Sequence, residues 1–284
     1  MTTLGVDIGG TKMLLVVEYQ GEKISKIVPT GKKYTAGEIL REIHEFVNHL
    51  PFPIDAIGVA VPGLVEQNQK IMISDVLPNI AGMDTDFLKI NYLPIYIIND
   101  VKAALIQETV SNETVDTVVI MIGTGIAAGI RQDGQFVEGS KGWAGELGSI
   151  PIPTADGIKK LDELASGASI IAKANTDADT LHRNIEQGDT TAHEIVQIAG
   201  GYLGIAISTV IHLLNPQRII LGGGTIQYKG YFETAVKVAK ENTLPELWAV
   251  CTIRKSENAK YMVAQGAINF VAAQEKIKAL KHGS

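Results

Sequence analysis

The sequence predicts an α/β protein built from two copies of one domain, and three observations carry that reading. Short apolar strands alternate with helical stretches along most of the chain, the pattern that builds a sheet with functional residues at its strand ends. A strand, Gly-rich turn, strand unit occurs at residues 4–17 and again at 117–131. The length of 284 residues also exceeds what a single core usually serves.

The first unit, LGVDIGGTKMLLVV, turns at Gly9 and Gly10. Glycine permits positive φ and a close approach of backbone to ligand, and such a turn can aim N–H groups at phosphate. Asp7, at the end of the first strand, stands where a carboxylate could hold a hydrated Mg²⁺. An ordinary hairpin whose Asp-Ile-Gly-Gly simply makes the turn fits the same residues. Lys12 could neutralise phosphate or stand solvated.

A third strand is expected at 23–28 and a helix at 36–50, with Ile39, Leu40, Ile43, Phe46 and Val47 on one face. Pro51 and Pro53 end that helix. Strands follow at 56–61, closed by Pro62-Gly63, and at 93–98, closed by Asn99-Asp100. A helix at 101–110 runs into the polar break Ser111-Asn112-Glu113.

The second half restarts with a strand at 117–122, Gly123-Thr124-Gly125, a strand at 126–131 and a turn at Asp133-Gly134. At an offset of 114, Ile8 and Gly9 fall on Ile122 and Gly123, and Thr11 on Gly125. Matching architecture at weak identity is what a duplicated domain leaves, although two unrelated Gly hairpins would look alike. Helices are expected at 162–174, 191–214, 232–240 and 264–279, and a strand at 217–221 closed by Gly222-Gly223-Gly224. The tail from Lys281 reads as frayed. The domains expected are 1–113 with the C-terminal helix (about 264–280), and 114–263, hinged near 112–116 and 259–265.

A net charge of −6 and a pI near 5.6 argue against nucleic acid or an anionic membrane as partner. Cys251 is the only cysteine, which excludes an intrachain disulfide and a Cys-based metal cluster. No basic segment with a long apolar core opens the chain, and the apolar stretch 205–214, interrupted by Ser208, Thr209 and His212, is too short to span a bilayer. A cytosolic protein is the simplest expectation. A homodimer stays open.

Four strand ends carry glycine: Asp7 to Lys12, Pro62-Gly63, Gly123 to Gly125, and Gly222 to Gly224. Spread over two repeated halves, they suggest a nucleotide held by backbone from both sides of a cleft. None is a GxxxxGK[ST] loop, so a P-loop enzyme is excluded. Asp100 is the candidate base, since phosphoryl transfer asks only for a placed carboxylate to take the acceptor proton; capping the helix that follows is its alternative role. Glu146, between Gly145 and Gly148, could accept bonds from vicinal sugar hydroxyls or be a plain loop residue, and Asn79 has the same two readings. The six histidines show no HExxH spacing, and no GxSxG motif is present.

On these residues the chain resembles, over nearly its whole length, the ROK family (repressor, open reading frame, kinase) of the actin-like ATPase superfamily. DIGGTK at 7–12 looks like the family's first phosphate loop, Gly123-Thr124-Gly125 its second, and 221–224 its adenosine-side glycines. Val61-Pro62-Gly63, Pro78-Asn79-Ile80 and Ile98-Asn99-Asp100 resemble the sugar-side segments. AGELG at 144–148 and LDELASG at 161–167 resemble AGEIGH and CLExxASG.

The resemblance implies two ribonuclease H-like domains with a cleft between them, and an ATP-dependent hexose kinase using Mg²⁺ held through water by Asp7. Asp100 would be the catalytic base, with Gly63, Asn79, Asn99, Asp100, Glu146 and Asp162 on the sugar. Asp7, Gly9, Gly10, Thr11, Lys12, Gly123, Thr124, Gly125, Gly222, Gly223 and Gly224 would serve the nucleotide. Two departures stand out. Ser149 replaces the family's histidine, and PTADGIKK at 153–160 replaces its CxCGxxGC zinc motif, so no zinc site is expected. The glutamate of CLE aligns with Asp162, unless Glu163 substitutes for it. The expected activity is phosphorylation of glucose or a related hexose at its 6-hydroxyl, with N-acetylmannosamine kinase as runner-up. A non-catalytic sugar-sensing regulator is the rival class.

Overall fold

The structure, a computed structural model, describes residues 1–86, 88, 90, 92–110, 114–257 and 259–282. The chain opens with β1 (Thr3–Ile8), β2 (Lys12–Tyr19), β3 (Glu22–Pro29), α1 (Ala36–Asn48), β4 (Ala56–Val61), β5 (Leu64–Glu66), β6 (Lys70–Ile73), β7 (Ile95–Asn99) and α2 (Asp100–Glu108). It continues with β8 (Thr117–Ile122), β9 (Ile126–Gln132), β10 (Gln135–Phe136), β11 (Pro151–Thr154), β12 (Gly157–Lys160), α3 (Leu161–Ala165), α4 (Gly167–Ala174), α5 (Ala178–Glu186) and α6 (Thr190–Leu214). It closes with β13 (Arg218–Gly222), α7 (Tyr231–Glu241), α8 (Pro245–Trp248), β14 (Thr252–Lys255) and α9 (Met262–His282).

Two compact units result. One comprises Met1–Glu113, Glu138–Ala144 and Asn258–Ser284; the other comprises Thr114–Val137 and Gly145–Glu257. The first holds a sheet of order β3-β2-β1-β4-β7, the second a sheet of order β10-β9-β8-β13-β14. In each, three strands form an antiparallel meander and two add in parallel. β1 and β8 start 114 residues apart, as do β2 and β9, so the offset read from two glycine turns is an architectural repeat.

In the first unit β4 is buried along its whole length, the mark of a strand covered on both faces. On one face Leu4, Val6, Met13 and Leu15 share a core with Ile39 and Ile43 of α1, a helix begun by a Thr35–Glu38 capping box. On the other face α9 lies against the sheet at two glycines. A Cβ on Gly5 would stand 2.2 Å from the Ala264 carbonyl oxygen, and one on Gly58 2.4 Å from that of Ala267. At Gly266 α9 meets α2, where a Cβ would be 1.8 Å from the Ala103 carbonyl oxygen.

The second unit is organised on α6. Gly200 and Gly204, one helical turn apart, let α7 approach until a Cβ would lie 2.6 Å from the carbonyl oxygens of Tyr231 and Ala235 respectively. By length and composition α6 could cross a membrane, but Leu203, Ile207 and Ile211 are buried in this core.

Several expectations need correction. The helix read at 162–174 is two helices, because Ser166 adopts extended backbone (φ −71°, ψ 161°) and its hydroxyl accepts from Ser169 N to begin α4. The strand read from residue 93 starts at Ile95, after Pro94, and includes Asn99. The helix after it begins one residue early, at Asp100. α9 begins at Met262, inside the stretch read as a hinge, and runs to His282, so the tail is helical two residues further than expected. Gly283 and Ser284 lie outside the described residues, as does the break at Ser111-Asn112-Glu113 with the start of the hinge read there. The strand β14 and the hairpins β5–β6 and β11–β12 had no sequence reading.

Candidate active site

In the first unit the β1–β2 turn closes with Gly9 N donating to the Lys12 carbonyl at 2.9 Å. Thr30, at the end of β3, braces it: the hydroxyl donates to the Gly9 carbonyl at 2.6 Å and the amide to that of Thr11 at 2.9 Å. Gly10 lies under Val76, where a Cβ would come within 2.1 Å of Cγ1. Thr11 and Lys12 are exposed. Asp7 reaches solvent with only part of its surface, and burial pushes its carboxyl up to about 6 against the opposing pull of Lys12. A poorly solvated carboxylate beside a backbone turn suits a hard cation that keeps most of its water, so these residues fit Mg²⁺.

A second group of the expected site residues gathers where parallel strands β4 and β7 end side by side, with Val61 paired to Asn99; ligands of open α/β sheets bind beyond such carboxyl ends. Gly63 has φ +110°, and a Cβ there would stand 2.1 Å from the Ile73 carbonyl oxygen. Asn99 Nδ2 donates to the Gly63 carbonyl at 2.9 Å, while its Oδ1 accepts from Val101 N at 3.0 Å and Lys102 N at 3.1 Å. Asn99 is therefore the N-cap of α2. Asp100, the first residue of that helix, accepts from Val101 N at 2.9 Å. Asn79 sits in a 3-10 turn, Pro78–Ile80, and donates to the Lys33 carbonyl at 3.2 Å.

In the second unit Gly123 N donates to the Gly125 carbonyl at 2.9 Å, and the Gly123 carbonyl accepts from Gly167 N at 2.8 Å and Thr225 Oγ1 at 3.3 Å. Thr124 is exposed between them. Gly222 ends β13; Gly223 (φ +95°) would set a Cβ 2.2 Å from the Ile122 carbonyl oxygen, and Gly224 is exposed. Asp162 Oδ1 accepts from Ile126 N at 2.7 Å, so its carboxylate braces the residue after the second loop. Glu163, exposed, accepts instead from Lys160 N at 2.7 Å. Of the two carboxylates, Asp162 is the one turned to the loop.

Glu146 is exposed and follows Gly145 (φ +101°), where a Cβ would be 1.8 Å from the Ala128 carbonyl oxygen. The Gly145 carbonyl accepts from Ala128 N at 2.7 Å. Gly148 packs on Asp162, its Cβ position 2.3 Å from Oδ1. One cluster thus unites Glu146, Asp162 and the second loop. Ser149 is exposed, and residues 153–160 lie in the β11–β12 hairpin, closed by Thr154 Oγ1 donating to the Gly157 carbonyl at 2.7 Å. Among the described residues no group of three or more His, Cys, Asp or Glu could hold a metal ion. Thr30, Gly167 and Thr225 brace both loops, and none was singled out as a loop brace, because an isolated threonine or glycine far away in sequence carries no periodic signal.

Against known proteins, the family model described as ROK family matches residues 3–274. An N-acetylmannosamine kinase of Salmonella arizonae is 24% identical over 281 residues, covering 91% of this chain and 95% of that protein. A ROK family glucokinase from Streptomyces griseus, solved with glucose and AMPPNP, superposes with a TM-score of 0.79 at 20% identity, covering 94% of this chain and 98% of that one. A ROK family transcriptional regulator, a homologue of the E. coli MLC protein, superposes with a TM-score of 0.76 at 22% identity, covering 94% and 78%. The fold is that of the actin-like ATPases.

Proposed function

The chain belongs to the ROK family, and from that footing we propose that it is an ATP-dependent kinase that phosphorylates the 6-hydroxyl of glucose or a related hexose. The observation that carries the reading is Asp100, set directly after the N-cap Asn99 at the carboxyl end of β7. A sugar hydroxyl attacking phosphorus must lose its proton, and Asp100 takes it. Asn99 has one amide hydrogen left after its bond to Gly63, and offers it to the sugar together with Asn79, Gly63, Glu146 and Asp162.

The turns at Gly9–Lys12, Gly123–Gly125 and Gly222–Gly224 would receive the nucleotide, and Asp7 would hold Mg²⁺ through water. MgATP, when bound, supplies the γ-phosphoryl group. The sugar and phosphate side is assigned to the first unit, which takes in Glu138–Ala144 and the chain from Asn258 in addition to residues 1–113, and the nucleotide side to the second, which ends at Glu257 and not at 263.

N-acetylmannosamine kinase is the second reading, favoured by the name of the Salmonella relative. A sugar-sensing regulator without turnover is the third, favoured by the likeness to the regulator. A coupled assay of ADP release across glucose, N-acetylmannosamine, N-acetylglucosamine, allose and fructose separates them. Turnover with glucose supports the first and turnover confined to N-acetylmannosamine the second. Sugar binding with no ADP release would leave the third.

A further inference from the structure

The segment Glu138–Ala144 belongs to the first unit, although the chain on either side of it belongs to the second. An ion pair fastens it. Lys102 Nζ lies 2.6 Å from Glu138 Oε2, with the lysine side chain 14% exposed and the glutamate 51%. The segment closes on itself through Ala144 N donating to the Glu138 carbonyl at 3.2 Å. It turns at Gly139 (φ +70°) and Gly142 (φ +81°), and a Cβ on Gly142 would meet Lys102 Nζ at 3.4 Å and the Val65 carbonyl oxygen at 3.5 Å. The two positive φ values are what call for glycine, and a Cβ on Gly142 would stand in ordinary contact with the pair and with the strand leading away from Gly63.

Lys102 is also joined to the acceptor side through its backbone. Its amide donates to Asn99 Oδ1 at 3.1 Å, and Asn99 Nδ2 donates to the Gly63 carbonyl. One continuous series of polar contacts runs from Gly63 through Asn99 and Lys102 to Glu138, within a single unit. A pocket of about 390 Å³ opens beside it, lined by Glu66, Gln67, Lys102, Glu138, Ser140 and Lys141 among others.

We propose that Lys102 is a positioning residue whose ion pair with Glu138 latches the segment Glu138–Ala144 onto the first turn of α2 and so sets the acceptor-sugar side of the site beside Asp100. This rests on the kinase reading above. A loop of this length has to be held against its conformational entropy, and removing either charge of this exposed pair gives up the contact that holds it. Both ends of the latch therefore matter.

The test compares Lys102→Met, Glu138→Gln, Lys102→Arg and the exchanged pair Lys102→Glu/Glu138→Lys by two readouts. Hydrogen exchange in 138–144 should quicken by about three- to tenfold in the first two variants, the ratio one partly screened ion pair sets, with exchange in α1 unchanged. With glucose and N-acetylmannosamine as probes, sugar KM should rise by a similar factor while ATP KM stays within about twofold. Lys102→Arg and the exchanged pair should restore both. Unchanged exchange, equal rises in both KM values, or an exchanged pair no better than the single variants would overturn the proposal. If the wild-type protein turns over neither sugar, the kinase reading fails on its own, and the exchange data alone decide the latch.

Discussion

The side-chain amide of Asn99 donates to the backbone carbonyl of Gly63 across 2.9 Å, tying together the ends of two parallel strands. The same side chain caps α2 through Val101 N and Lys102 N. Asn99→Ala removes both functions and should lower stability by about 1–3 kcal/mol, the sum expected of a lost cap and an orphaned carbonyl. Asn99→Asp keeps the cap but sets a carboxylate against the Gly63 carbonyl. Urea titration should find it closer to wild type in stability, with catalysis reduced; equal stability losses in the two variants would mean that the bond to Gly63, lost in both, is all that counts and the cap contributes nothing.

Glycine substitutions should separate packing from propensity. Gly266→Ala forces a methyl into the Ala103 carbonyl and should cost about 3 kcal/mol or more, or prevent folding, as overpacking against backbone does. Gly37→Ala, exposed in the first turn of α1 with nothing within 4 Å of its Cβ position, should be neutral or stabilise by up to about 1 kcal/mol. Thermal melts of the two proteins read this directly. A tolerated Gly266→Ala would mean that α9 does not rest on α2 so closely.

Those glycines also mark what the sequence could and could not disclose. The strands were legible because their apolar runs end at turn residues, and the repeat was legible because Gly9 and Gly123 occupy equivalent turns. Helix α1 was legible from its Ile39–Ile43–Phe46 face. Gly5, Gly58 and Gly266 showed nothing, since the close approach of α9 to the sheet at the first two, and to α2 at the third, depends in every case on a partner about 160 to 260 residues away. The break at Ser166 was missed because a cap inside an apolar helical pattern looks like one more helical residue. In the site, Asn99 reads as a companion to Asp100; the structure gives the capping role weighed for Asp100 to Asn99. Thr30 and Thr225 brace the two loops from afar, and no local spacing announces them.

Asp7 should make stability depend on pH. Its carboxyl is held up at about 6 in the folded protein, whereas an unfolded aspartate titrates near 4. Between those values the folded chain keeps a proton that the unfolded chain has released, so stability falls as pH rises from about 4 to about 6 and stays lower above that. The size is about 2–3 kcal/mol. Without metal or nucleotide, Asp7→Asn should be the more stable protein at pH 7, and the gap should close by pH 4. Parallel stability curves for the two proteins would contradict a buried, charge-averse Asp7.

Glu146→Ala should raise sugar KM by at least about tenfold while ATP KM moves little, since a pair of charge-assisted bonds to ring hydroxyls is worth roughly 1.5–3 kcal/mol each. Steady-state kinetics with each substrate varied in turn would reveal it. Small and equal changes in both constants would reduce Glu146 to a loop residue.

The central claim is that Asp100 takes the acceptor proton, and Asp100→Asn tests it most directly. The substitution preserves size, and Asn99 goes on capping α2, so melting temperature and ATP affinity should stay near wild type. Removing a general base typically costs about 10²- to 10⁴-fold, and kcat with the best sugar of the panel should drop within that range. A variant that keeps most of its turnover would contradict Asp100 as the base.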